Sequence, residues 1–143
     1  MSNDRNFPIV EGHYQMTSDW SVELPAKFKR RIEDECLVLW KPGFTIWTIA
    51  WSNTHRESIE ERLDWISRDT SAGAFDILTE SSEGLVRYAY RLQEESEEGC
   101  QASFNGFAIG RNGHIQIAIY FDSPDDVDEA LIIWRSLRES MVA

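Results

Sequence analysis

The stretch Cys36–Trp51 constrains this chain more than any other. It reads Cys36-Leu37-Val38-Leu39-Trp40, then Lys41-Pro42-Gly43-Phe44, then Thr45-Ile46-Trp47-Thr48-Ile49-Ala50-Trp51. Two runs rich in β-branched and aromatic residues flank a Pro-Gly turn, which predicts a β-hairpin. Apolar residues stand at odd and at even positions in both runs. On a pleated strand that puts apolar side chains on both faces, so neither face can lie open to water. The hairpin belongs inside a sheet with cover on each side.

The rest of the chain supplies strands and two candidate covers. Residues 1–14 carry little pattern and read as a lead-in or tail before a single domain spanning 15–143. Trp20-Ser21-Val22-Glu23-Leu24 alternates as a half-buried strand that Pro25 should end. Phe28–Ile32 fits one helical turn and a strand equally, and is read as an exposed edge strand or loop. After the hairpin, Ser58 with Glu61 three residues later makes a capping box. Ile59, Leu63 and Ile66 then recur at helical spacing, with Trp65 beside them and Glu60, Glu61, Arg62 and Asp64 facing outward.

A four-strand meander follows. Phe75 and Ile77 share one face of a short strand, and Val86, Tyr88, Tyr90 and Leu92 share one face of the next, with Arg87 and Arg91 opposite. Gly106 sits where the apolar parity of the third strand changes, which suggests a bulge. Asn112-Gly113 is a type I′ turn signal. The fourth strand alternates Ile115, Ile117, Ile119 and Phe121 with His114, Gln116 and Tyr120. Ser123-Pro124-Asp125-Asp126 opens a last helix, whose stripe is Val127, Ala130, Leu131, Trp134 and Leu137. The fold class expected is α+β: an antiparallel sheet of about six to seven strands with an α-helix on each face.

This layout resembles the PsbP-like α/β/α sandwich, a group that includes the extrinsic PsbP subunit of photosystem II, a Ran-binding nuclear transport factor and bacterial effector chaperones. The residues that carry the resemblance are Trp20-Ser21-Val22-Glu23-Leu24-Pro25, Ile117-Ala118-Ile119-Tyr120 and Trp134-Arg135-Ser136-Leu137. The resemblance implies a non-enzymatic binding scaffold.

Charge and composition narrow the function classes. A net charge of −11 argues against a nucleic-acid partner, because phosphates demand a positive surface. The basic cluster Lys27, Lys29, Arg30 and Arg31 runs straight into Glu33-Asp34-Glu35. No apolar run reaches the roughly 20 residues of a membrane helix, and no signal-peptide core follows the polar start, so no membrane partner and a cytoplasmic location are expected. Cys36 and Cys100 are too few for a disulfide scaffold; a bridge between them would need adjacent strands, and Cys36 reads as a small buried hydrophobe.

Catalytic and cofactor motifs are missing. His13, His55 and His114 lack a second ligand at zinc spacing, and neither a nucleophile elbow nor a phosphate loop occurs. His55 with Glu57 could make an acid–base pair, though a solvated loop explains both. The acidic run Asp122–Glu129 lacks the glycine of an EF-hand loop. No enzyme, cofactor or metal is therefore expected.

What remains is aromatic and acidic. Six tryptophans are many for 143 residues, and a two-residue turn puts Trp40, Trp47 and Trp51 on one face of the hairpin. They are either core or the seat of a partner's apolar segment. The acidic loop Glu94, Glu95, Glu97 and Glu98 supplies a second candidate surface. The function expected is a protein-binding adaptor or chaperone-like domain, with a protein partner and homodimer formation left open. The alternative is an acidic inhibitor or immunity-type protein against a basic target.

Overall fold

The computed structural model describes residues 7–82, 84–96 and 99–140. Its strands are β1 (Ile9–Gln15), β2 (Trp20–Glu33), β3 (Cys36–Lys41), β4 (Phe44–Ser52), β5 (Phe75–Ser82), β6 (Leu85–Ser96), β7 (Gly99–Gly110), β8 (Gly113–Phe121) and β9 (Arg138–Glu139). Helix α1 (Ile59–Arg68) follows β4, and α2 (Val127–Arg135) follows β8 after a 3-10 turn at Pro124–Asp126. All strands join one antiparallel sheet in the order β1-β2-β3-β4-β8-β7-β6-β5, and β9 pairs with the start of β2.

The expected sheet of six to seven strands with a helix on each face, the PsbP-like layered sandwich, is not what forms. The sheet has nine strands, and about 60% of the residues are strand against 17% helix. Helices of 10 and 9 residues are roughly 15 Å long at 1.5 Å per residue. Eight lanes of sheet at about 4.8 Å spacing extend roughly 35 Å, so neither helix makes a layer. Each covers a patch.

One missed strand lies before the hairpin and the other, β9, follows α2. Residues 9–14 of the expected lead-in, with Gln15, form β1 against β2. Pro25 does not end β2, which runs on through residues 28–32 and pairs with β3. Leu24 pairs with Gly12 and Phe28 with Val10, so Pro25, Ala26 and Lys27 oppose Glu11 alone. At such a bulge proline interrupts no ladder bond.

Turn chemistry also departs from expectation. Arg111 and Asn112 make the β7–β8 turn, with Gly110 opposite Gly113. Gly113 has φ of 137°, and a Cβ there would lie 1.9 Å from the Trp51 carbonyl oxygen. The backbone N–H groups of Arg111 and Asn112 donate to the Glu139 carboxylate at 3.0 and 2.7 Å, so β9 caps this turn. Positive φ at two successive turn residues occurs instead at Asp34 and Glu35 (50° and 68°), between β2 and β3.

Gly106 lies in unbroken register with Ala89 and Ile117, so the expected bulge is absent. A Cβ at Gly106 would sit 2.5 Å from Trp134 Cδ1. The glycine is there to admit the indole, whose Nε1–H donates to the Phe107 carbonyl at 3.1 Å. The parity change around it reflects burial on both faces: Phe104 and Ala108 pack in one cluster, Phe107 and Ile109 in the other. The bulge lies on β5 instead, between Phe75 and Leu78, where Asp76 takes φ of 52° and both Phe75 and Ile77 stay exposed.

Two apolar clusters result. The larger joins β2, β4, β7 and β8 to Ala130, Ile133 and Trp134 of α2 and to Leu137. The smaller joins Ile66 of α1 to Tyr88, Tyr90, Phe107 and Ile109.

Candidate functional site

α1 begins at Ser58, whose hydroxyl accepts from the Glu61 N–H while the Glu61 carboxylate accepts from the Ser58 N–H, each at 3.0 Å. These bonds pull the Glu61 carboxyl below its ordinary range. The capping box fixes where the helix starts, and so which residues face the sheet.

Arg62 is among them. Read as outward-facing, it is 4% exposed, beside His114 at 2%. Arg62 stands three residues after Ile59 and four before Ile66, positions that share a helix face with both. Burial of a guanidinium demands partners. Nη1 donates to His114 Nδ1 at 2.7 Å, and Nη2 donates to Asn53 Oδ1 at 3.0 Å and the Ser52 carbonyl at 3.3 Å. Glu57 lies 3.3 Å from Nη2 and neutralises it, while accepting from Trp65 Nε1 at 2.9 Å. Glu57 therefore serves Arg62 and Trp65, and among the described residues no His55–Glu57 pair forms.

His114 is held flat. It pairs across the sheet with Trp51 on β4, and the two rings stack at 4.7 Å and 20°. Trp65 meets it edge-on at 5.5 Å. Since Arg62 can only donate, Nδ1 is the acceptor and Nε2 carries the hydrogen. Burial, and secondarily the Arg62 charge, lower the His114 pKa to about 4, so the ring is neutral at pH 7. Beside it opens a cavity of about 370 Å³, lined by Trp51, Trp65, Ile66, Asp69, Ser71, Tyr90, Phe107, His114 and Gln116.

The three hairpin tryptophans do share a face: Trp40 pairs with Thr45, and Val38 with Trp47, across a two-residue turn. They are neither all core nor all free. Trp40 carries the Arg31 guanidinium 4.7 Å above its ring and an edge contact from Phe7 at 5.1 Å. Trp47 is half-buried, and Trp51 is 41% exposed on its side away from His114. Ile49 (38%) and Trp65 (42%) extend the same apolar band.

One edge of this band is bare. β3 pairs with β4 only as far as Leu37 opposite Thr48, and the chain then turns away at Asp34–Glu35. Ile49, Ala50, Trp51 and Ser52 are all exposed, and their described strand partner is β8 alone. Among the described residues no strand pairs with them where β3 would have continued.

The acidic loop is elsewhere. Glu94 and Glu95 are exposed near the end of β6, which β8 and β7 separate from β4, while Glu97 and Glu98 lie outside the described residues. Burial, then Glu94 and Tyr90, raise the Tyr120 phenol pKa. His13 bonds Glu23 across β1 and β2 at 2.6 Å. Cys36 is a free thiol on β3, which β4 and β8 separate from β7, so Cys36 and Cys100 do not stand on adjacent strands. Among the described residues no three His, Cys, Asp or Glu side chains converge as a metal-binding group. No helix is long and apolar enough to cross a membrane.

No protein-family model and no curated protein matches the chain. It is similar to a solved structure from Bacteroides thetaiotaomicron VPI-5482, determined at 1.50 Å, with a TM-score of 0.64 and 11% identity. The match covers 92% of this chain and 49% of the other, so this chain spans about half that protein's length. The likeness is one of fold.

Proposed function

We propose that this chain is a non-enzymatic protein-binding domain that takes an extended segment of its partner along the free edge of β4. The observation that carries this reading is the bare lane at Ile49–Ser52, flanked by exposed Ile49 and Trp51. An unpaired strand edge offers backbone hydrogen bonds, and alternate side chains on one face offer selectivity. The Asp34–Glu35 turn closes one end of the lane, and the chain carries −11. A segment with apolar residues and a basic end fits both. On this reading the cytoplasm is where the two meet, and an inhibitor of a basic target would use the same lane.

His114 favours binding over catalysis. Its Nδ1 is committed to a cation, and its described hydrogen bonding includes no carboxylate or hydroxyl. The test is affinity capture from native lysate with the wild type and with Ile49→Lys, which places a charge on the edge. The wild type should retain a stoichiometric partner that weakens with salt, and the folded variant should lose it. Equal capture by both refutes the reading.

A further inference from the structure

We propose that the cavity between α1 and the sheet is a second, small-molecule site, built for a neutral flat ring of one or two fused cycles that carries a hydrogen-bond acceptor. Its volume of about 370 Å³ lies at the small end of ligand pockets, which are mostly apolar with few placed polar groups. Trp51, Trp65, Phe107, Tyr90 and Ile66 supply flat or apolar walls, and exposed Asp69 and Ser71 line it as well. Two polar side chains stand two residues apart on one face of β8, His114 and Gln116.

His114 makes this a built site. The side chain is almost wholly buried, yet lines the cavity. Arg62 occupies Nδ1, which leaves the Nε2–H as what the ring can offer a guest. The stack on Trp51, the edge contact from Trp65 and the Arg62 bond to Nδ1 hold the ring in place before any ligand arrives. Gln116 supplies an amide that can accept or donate alongside.

Charge selects for a neutral guest. Glu57 compensates the Arg62 guanidinium at 3.3 Å, so no free cation backs the donor. An anion would meet a chain of net charge −11 with nothing to pair it. Asp69 also lines the cavity but is solvent-exposed, whereas at His114 a cation would meet the hydrogen of an N–H donor.

The experiment titrates the purified protein with 2-quinolone, whose lactam offers a carbonyl to His114 and an N–H to Gln116. Naphthalene, which lacks both, and 1-naphthoate, which is charged, are the comparisons. The readout is the set of indole N–H signals in proton–nitrogen NMR spectra. Saturable shifts at Trp51 and Trp65, with Trp134 unmoved, are expected for 2-quinolone, at least tenfold tighter than for either comparison. His114→Phe keeps a flat ring against Trp51 and should weaken 2-quinolone tenfold or more while leaving naphthalene unchanged. If that variant does not fold, Gln116→Leu makes the same comparison. The absence of saturable shifts, equal affinity for all three rings, or unchanged 2-quinolone binding by the folded variants overturns the proposal. Both variants leave Ile49 and the β4 sequence unchanged, and partner capture repeated with the same variants tells this failure from failure of the β4 reading.

Discussion

Acidification should cost this fold more than its carboxylates account for, because of one ring. In the folded protein His114 is buried against Arg62 Nη1 at 2.7 Å and its pKa falls from 6.5 to about 4. In the unfolded chain it protonates at its ordinary value. Below pH 6.5 the unfolded state therefore binds a proton that the folded state refuses until about pH 4. The stability from neutral His114 is fully present above pH 6.5 and drains away as pH falls through that window. At about 1.4 kcal/mol per unit the whole shift is worth roughly 3 kcal/mol, of which about 2 kcal/mol is lost between pH 7 and pH 5. Against a typical stability of about 5–15 kcal/mol this is large.

The control is His114→Gln, which can still accept from Arg62 but does not titrate. Urea denaturation of both proteins at pH 5, 6 and 7 isolates the histidine, because all other groups are shared. The wild type should lose about 2 kcal/mol more than the variant from pH 7 to 5. Parallel pH profiles, or an imidazole that titrates near 6.5 by NMR, would refute the buried neutral pair.

Three further substitutions probe the frame. Ser58→Ala removes the hydroxyl that accepts from Glu61 and should cost about 1 kcal/mol, with faster amide exchange in the first turn of α1. Gly106→Ala drives a methyl into the Trp134 indole and should cost roughly 1–3 kcal/mol in denaturant melts. Trp134→Phe removes the Nε1 bond to the Phe107 carbonyl and leaves a void beside Gly106; stability from denaturant melts should drop by roughly 2–4 kcal/mol.

Much of the fold was legible where local signals were strong. The hairpin register around Pro42-Gly43, the capping box at Ser58 and the alternation of β8 all follow from turn residues and periodicity. β2 was misread because Pro25 looks like a terminator, and only the three-against-one bulge opposite Glu11 shows how it is accommodated. Gly106 was misread because a parity change resembles a bulge, whereas the cause is Trp134, 28 residues away in the sequence.

The site was half legible. Trp40, Trp47 and Trp51 share a face as their spacing indicates, but which neighbours cover them depends on non-local pairing. Sequence alone points Arg62 outward, because a charge on an amphipathic helix normally faces water. Its i+3 relation to Ile59 and i−4 relation to Ile66 was the signal that it lies on the buried stripe. His114 could not be linked to it, since β4, β8 and α1 meet only in three dimensions. The bare lane at Ile49–Ser52 exists because β3 is shorter than β4, a mismatch visible only once Leu37 is known to oppose Thr48.

On the proposed function a partner lies along β4 at Ile49–Ser52. Photo-crosslinking tests it most directly, with p-benzoylphenylalanine placed at Ile49 and, as a control, at Ile132, which is exposed on α2. In native lysate the probe at position 49 should give one discrete adduct that a salt step diminishes, and the probe at 132 should give none. No adduct from position 49, or the same adducts from both positions, would contradict it.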